Sequence, residues 1–326
     1  MLKERNLKEE KVIQWDKCNL CGYDDFTLLF SSHNYLIPSS SVFNLVKCNR
    51  CQLVFLNPHP KNLIDYYSKD IYKKITKNDI FDFLNPDRSK LIIRFKSGGR
   101  VLDIGFGRGE FLFEMENSGW EVFGNELSHD LYVYTKAEFK IKSLYNSDLL
   151  YIDLPESFFD VITLWHVLEH LDSPLETLKK INKILKDNGV VIIESPDFAS
   201  CQRKFFKGKW YALNIPLHIH HFHPQSLKKI LNSAGLTIIK KDYFVNPRID
   251  FITLKRSLLR YLHLELVPDA KGRNESVILL GLKKYKILFK LLRLIYECFC
   301  LIISLFLSLI NCGSCFRLYC RKIKSL

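Results

Sequence analysis

The first 17 residues of this 326-residue chain, MLKERNLKEEKVIQWDK, contain no apolar core. A secretory leader needs such a core, so none is expected here. Also missing is the even scatter of cysteines that marks a disulfide framework. Of ten cysteines, four fall into two C-x-x-C pairs and most of the rest lie in the C-terminal tail. That pattern suits thiols kept reduced, and a cytoplasmic location is expected. Glycine is scarce, at 14 residues, yet Gly105, Gly107 and Gly109 crowd into one short stretch. A dinucleotide fingerprint, G-x-G-x-x-G, would place its third glycine at 110, where the chain has Glu110. Asp103, just before the first glycine, would repel a pyrophosphate. Both features argue against a dinucleotide cofactor.

What the stretch does contain is RVLDIGFGRGEFL, Arg100 to Leu112. A short apolar run enters a glycine-rich turn, and a helix-compatible segment follows, an order that reads as buried strand, tight turn, helix. Glycine serves where backbone bends sharply and passes close to a ligand. The carboxylate of Asp103 would hold an ammonium group. A second apolar strand, Trp120 to Gly124, is closed by Glu126, at a spacing that suits an acid holding a ribose diol. A ligand with an amino cation and a ribose but no phosphate fits S-adenosylmethionine.

On these residues, and on FFDVITLWHVLEHL at 158–171, the sequence resembles the class I S-adenosylmethionine-dependent methyltransferases over roughly residues 90–245. The fold this implies is α/β: a Rossmann-like, seven-stranded, mostly parallel sheet with helices on both faces. The resemblance implies that Asp103 and the three glycines hold the methionine part of the cofactor. It gives Glu126 and Leu127 to the ribose end, and Asp148 and Leu149 to the adenine. Trp165 and His166, at the C-terminal end of a strand spanning Phe159 to Leu164, become candidates for the methionine part, and His166 a catalytic candidate. Glu169 and His170 read more readily as capping and packing groups.

Farther along, Pro216 to Pro224 resembles the family's P-x-H-x-x-x-F-x-P pattern. His218 is the residue expected to do acid–base work there, since imidazole titrates near neutral pH. The histidine cluster alone is not taken as a metal site. Strands are expected within Ala137–Leu144, Val190–Glu194 and Leu236–Phe244, and helices over Lys90–Ser97 and Gln225–Ala234, with another beginning at Val167–Leu171 and restarting at Asp172-Ser173-Pro174 through Leu185.

Before the glycine-rich stretch, Cys18, Cys21, Cys48 and Cys51 form two thiolate knuckles, the ligand set of a closed tetrahedral zinc site. Four thiolates leave zinc no open position, so its role is structural. The layout resembles an N-terminal zinc ribbon found on a methyltransferase subgroup acting on sugars and other small metabolites. In that subgroup a linker covers the pocket, which implies Tyr67 and Tyr72 at its mouth. The expected organisation is a ribbon over 1–60, a helical linker or lid over 61–98, the methyltransferase domain over 99–282, an amphipathic helix over 283–312, and the last sheet strand with the tail over 313–326.

Charge divides the chain. Residues 101–200 carry 18 acidic against 8 basic groups, and residues 201–326 carry 23 basic against 6 acidic. A basic third attracts anions such as lipid headgroups, phosphorylated substrates or nucleic acid. No charge falls between Glu297 and Arg317, a run long enough for a membrane span. Yet Lys286, Lys290, Arg293, Glu297, Ser304, Ser308 and Asn311 form one polar stripe at helical period. Cys315–Lys322 looks like the final strand of the sheet. An in-plane helix on the inner face of a membrane is the reading preferred over a buried or dimer-forming helix or a true span. The expected activity is methylation of a small-molecule, sugar, glycan or glycolipid-precursor acceptor. An RNA methyltransferase is the rival, opposed by the lack of aromatics interleaved with the basic residues. An inactive cofactor-binding adaptor is opposed by the intact Asp103 and Glu126. Oligomeric state is left open.

Overall fold

The computed structural model describes residues 12–33, 42–61, 63, 88–94, 96–243, 247–262 and 286–323, with backbone alone for 33 and 286–293. Tyr67, Tyr72 and most of the linker lie outside the described residues, as do the side chains of Lys286, Lys290 and Arg293.

Thirteen strands and eight α-helices are described. The strands are β1 (Val12–Ile13), β2 (Phe26–His33), β3 (Val42–Cys48), β4 (Val54–Leu56), β5 (His59–Pro60), β6 (Arg100–Ile104), β7 (Glu121–Asn125), β8 (Ser143–Tyr145), β9 (Phe159–Trp165), β10 (Leu185–Pro196), β11 (His220–His221), β12 (Leu236–Asp242) and β13 (Cys315–Lys322). The helices are α1 (Arg88–Ile93), α2 (Glu110–Asn117), α3 (His129–Phe139), α4 (Pro174–Ile184), α5 (Cys201–Phe206), α6 (Pro224–Ser233), α7 (Pro247–Tyr261) and α8 (Lys286–Leu309).

Seven strands form one sheet in the order β12-β13-β10-β9-β6-β7-β8. The pairs β10–β9, β9–β6, β6–β7 and β7–β8 are parallel, while β13 runs antiparallel to both of its neighbours. This is the expected α/β architecture. Alternation along the strands explains why both faces are covered. Leu102, Ile104, Ile162, Leu164, Val191 and Ile193 point to one face, packing with Leu178 and Ile181 of α4 and Leu227 and Ile230 of α6. Val101, Val161 and Ile192 point to the other, against Leu112 and Met115 of α2. A strand buried on both faces must be apolar at every step, as β9 nearly is.

Local differences from the sequence reading have simple causes. The apolar run from Ala137 is not strand at its start: α3 continues to Phe139, Lys140 closes it with φ 58°, and only Ser143–Tyr145 pairs in the sheet. Val167–Leu171 makes only a single 3-10 turn over Leu168–His170, while the helix expected to restart at Asp172-Ser173-Pro174 is α4, with Pro174 in its first turn.

A second sheet, β11-β4-β3-β2, carries the cysteine knuckles. Its edge strand, His220–His221, comes from the methyltransferase part of the chain and pairs with Val54 and Phe55. Cys18, Cys48, Cys51 and Phe55 share one apolar core with β6, β9 and β10. The N-terminal sheet is thereby built into the domain rather than tethered to it.

The helix α8 overturns part of the sequence reading. Its polar stripe was expected to face water, but Glu297, Ser304 and Ser308 are buried. Glu297 accepts from Lys255 of α7 at 2.7 Å, and Ser308 donates to the buried Asp250. A buried carboxylate requires such partners, and α7 supplies a polar seam that only the stripe can match. The opposite face leaves Leu294, Ile295, Phe299, Ile302, Phe306 and Leu309 more than half exposed. Among the described residues no helix is long and apolar enough to cross a membrane.

Candidate active site

Ligands of open α/β sheets bind outside the carboxyl ends of the strands, where the chain order reverses. A cavity of about 260 Å³ lies there, between the ends of β6, β7 and β9. Gly105 and Gly107 form its floor with Asn125 and Glu126, while Leu127, Asp148 and Leu149 make one wall. Trp165, His166, Val167 and His170 make the other.

The glycine turn is shaped by contact as much as by flexibility. Gly105 has φ 67°, and a Cβ there would stand 2.7 Å from Val167 Cγ2. Its N–H donates to Asn125 O at 2.8 Å, tying the turn to β7. Gly109 (φ 78°) is absent from the cavity wall; a Cβ would lie 2.2 Å from Thr135 Cγ2, so this glycine lets α3 pack against the loop. Of the three glycines, Gly105 and Gly107 line the cavity, and Gly109 packs against Thr135 behind it.

Glu126 is held from two sides. One carboxylate oxygen accepts the Gly107 N–H at 3.0 Å, the other the Ser128 N–H at 2.9 Å. Burial raises its pKa, and those backbone donors oppose the rise. A carboxylate fixed in this way keeps further lone pairs for hydroxyl donors in the cavity. Asp148 is likewise fixed by the Leu150 N–H at 2.8 Å, and Leu149 lies buried beside it.

Asp103 does not reach the cavity wall. It is buried within β6 and accepts from Thr163 Oγ1 at 2.6 Å. Burial pushes its pKa up to about 7, the Thr163 bond acting against the rise. Its position on the strand turns it toward Thr163 of β9.

His166 is clamped between two carboxylates: Nδ1 lies 3.3 Å from Glu169 and Nε2 3.1 Å from Glu194. Burial alone would lower its pKa, but the two carboxylates lift it to about 9. The pair of carboxylates thus favours the imidazolium, a cationic donor at the edge of the cavity. Glu194 is fully buried and also receives Arg88 at 3.0 Å and Arg317 at 2.6 Å. Both guanidiniums lie over the Trp165 ring, at 4.6 and 5.5 Å from its centre. Strand β13 thus reaches the site through Arg317. Sequence reasoning missed Glu194 and Arg317, since their link depends on the pairing of β10 with β13; it also missed Asn125, which is legible only as the residue preceding Glu126.

His218 is buried, and its Nδ1 donates to Ala212 O at 2.9 Å, leaving Nε2 as the basic atom. Burial takes its pKa well below the usual histidine range. Its ring meets that of His170 edge-on at 4.7 Å.

Two orphaned polar atoms bear on what the cavity takes. Asn125 Oδ1 and Trp165 Nε1 are buried without a hydrogen-bond partner, and both residues line the wall. Buried polar groups are costly to leave unpaired. An elongated ligand with donors at one end and acceptors at the other would satisfy them, and a carboxylate-floored crevice suits a ribose.

A profile of the methyltransferase domain family matches residues 77–241, half of the chain. The chain belongs to that family. With this fold it is a class I S-adenosylmethionine-dependent methyltransferase. Among its relatives, it is similar to the demethylmenaquinone methyltransferase of Staphylococcus saprophyticus, 26% identical over 176 residues, covering 46% of this chain and 75% of that protein. The ubiquinone biosynthesis O-methyltransferase of Acinetobacter baumannii is 23% identical over 176 residues, covering 47% and 74%. A solved methyltransferase from Archaeoglobus fulgidus superposes with a TM-score of 0.45 at 23% identity, over 72% of this chain and 90% of that one.

In the knuckles of the N-terminal sheet, the four cysteine sulfurs converge. Cys18 and Cys51 approach to 3.6 Å, as do Cys21 and Cys48, and all four lie within 4.8 Å of one another. Sulfurs bound tetrahedrally at about 2.3 Å from zinc would stand roughly 3.8 Å apart. The set fits such an ion.

Proposed function

We propose that this methyltransferase moves the methyl group of S-adenosylmethionine onto a small-molecule acceptor that belongs to a lipid surface. The observation that carries the reading is the exposed apolar row on α8, from Leu294 to Leu309, set in the basic third of the chain. An apolar helix face with basic residues nearby gains both burial and charge attraction at anionic lipid. The acceptor class covers glycolipid precursors. It also covers the quinones that two of the relatives are named for.

In this reading Glu126 takes the ribose hydroxyls, Asp148 and Leu149 the adenine, and Gly105, Gly107 and cationic His166 the methionine part. Trp165 closes the crevice. The cofactor supplies a methyl already activated on a sulfonium, so the protein's part is to hold the acceptor in line and take its proton. Cys18, Cys21, Cys48 and Cys51 hold a structural zinc that fixes the sheet beneath β11.

Two measurements test this. Methyl-labelled cofactor incubated with the full chain and fractions of a cell extract should mark the lipid fraction; label confined to RNA or to water-soluble metabolites would contradict the reading. Flotation with anionic liposomes should be lost in Ile302→Asp/Phe306→Asp while cofactor binding is kept. Equal flotation of both forms would remove the surface helix.

A further inference from the structure

Beside the cavity, Glu169, His170 and His218 converge: one carboxylate oxygen and one nitrogen from each ring lie within 4.8 Å of one another. These residues come from two distant stretches, the 3-10 turn after β9 and the loop before β11, and neither histidine follows from the other in sequence. We propose that this trio is a second metal site, taking a divalent transition-metal cation with positions left open toward the acceptor.

Three features of the geometry favour a cation over ordinary packing. First, each imidazole is oriented by a backbone carbonyl at its Nδ1: Leu217 O for His170 and Ala212 O for His218, both at 2.9 Å. With Nδ1 protonated, the lone pair of each ring sits on Nε2, and an outer carbonyl of this kind is the usual support of a metal-ligating histidine. Second, Glu169 is buried in the interior, its Oε2 accepting from Ser195 Oγ at 3.1 Å and its Oε1 facing His166 at 3.3 Å. That leaves a positioned carboxyl group with further lone pairs beside two nitrogens. Third, His170 lines the cavity itself, next to Val167 and Leu171. A site fully sealed in the core could bind an ion but not act on a ligand; this one borders the space an acceptor would enter.

Two imidazoles and one carboxylate are a ligand set suited to zinc-like divalent ions, and three protein ligands leave the coordination sphere open. The site differs from the cysteine cluster in both respects, since four thiolates close theirs. Resting on the methyl-transfer reading above, the role follows from charge: the ion would bind a hydroxyl or carbonyl oxygen of the acceptor and lower the pKa of the hydroxyl. The hydroxyl proton then passes to water, and the oxygen meets the methyl group as an anion.

Cobalt(II) is the probe that separates the two sites. Full-length protein isolated with its cysteine cluster metal-loaded is titrated with Co²⁺ and followed by visible absorption. One further equivalent should bind with weak ligand-field bands and no sulfur-to-cobalt charge-transfer band. His170→Asn and Glu169→Gln should each weaken that binding about tenfold or more, as loss of one of three ligands demands. The fold of both variants, followed by circular dichroism, should match the parent, so that lost cobalt binding is not lost structure. Because Glu169 is buried, Glu169→Gln can fail to fold; His170→Asn, at the cavity edge, then carries the test alone. Absence of the extra equivalent, or binding unchanged in His170→Asn, would overturn the site. The outcome is separable from that of the functional reading. A chain that transfers methyl but takes up no second ion loses only this proposal. One that takes up the ion yet methylates nothing loses the other.

Discussion

At the scale of single residues, the site is a set of charges whose states are fixed by burial and pairing. His166 shows this: two buried carboxylates favour its cationic form. Asp160 shows the opposite sign. Partial burial would raise its pKa, but Lys186, Lys96 and the Arg100 N–H bring it down to about 2. Its folded value thus lies below the unfolded one of about 3.9. Its contribution, on the order of 2 kcal/mol, is complete above about pH 4 and is lost as pH falls through about 2. Asp160→Asn should therefore lower stability at pH 7, measured by urea unfolding, while the gap to the parent protein closes toward pH 2. A gap independent of pH would mean that packing, not charge, sets the role of this residue. Of the residues read from sequence, Glu126, Asp148 and the first two glycines lie on the cavity wall, since motif spacing places strand ends. Asp103 and Gly109 do not, because which way a strand residue turns and what packs behind a loop are tertiary facts.

At the scale of elements, α8 and β13 carry the least expected result. Hydrophobic period alone shows that α8 is two-faced, and it reveals the stripe correctly. It does not reveal which face meets protein, because a polar partner on α7 inverts the usual rule. The knot of that contact is Asp250, fully buried, which accepts from Ser308 on α8 and from the N–H and hydroxyl of Ser314 just ahead of β13. One side chain thereby docks α8 and aims β13 into the sheet, where Arg317 reaches Glu194. Hydrogen bonds to a charged group contribute about 1.5–3 kcal/mol each, and unpaired buried donors add a penalty. Asp250→Ala should cost about 3 kcal/mol or more in thermal or urea unfolding. It should also speed hydrogen exchange in β13 more than in β6. A loss below about 1 kcal/mol, or exchange raised evenly over the sheet, would show that the return of β13 does not depend on this residue.

At the scale of the whole molecule, the N-terminal sheet, the methyltransferase sheet and the α7–α8 pair share cores instead of sitting side by side. The fold class was readable because strand, glycine turn, helix and acid recur at spacings that only a parallel sheet rewards. The joining of sheets through His220–His221 was not, since a two-residue strand leaves no periodic signal. What unites the parts is the crevice at the strand ends, and the central claim is that it binds S-adenosylmethionine through the Glu126 carboxylate. Calorimetric titration of the cofactor into the parent protein and into Glu126→Ala tests this most directly. The account predicts one site per chain in the parent and a loss of roughly tenfold to a hundredfold in the variant, the worth of hydrogen bonds to a charged group. Equal affinity in the two proteins, or no binding to either, would contradict it.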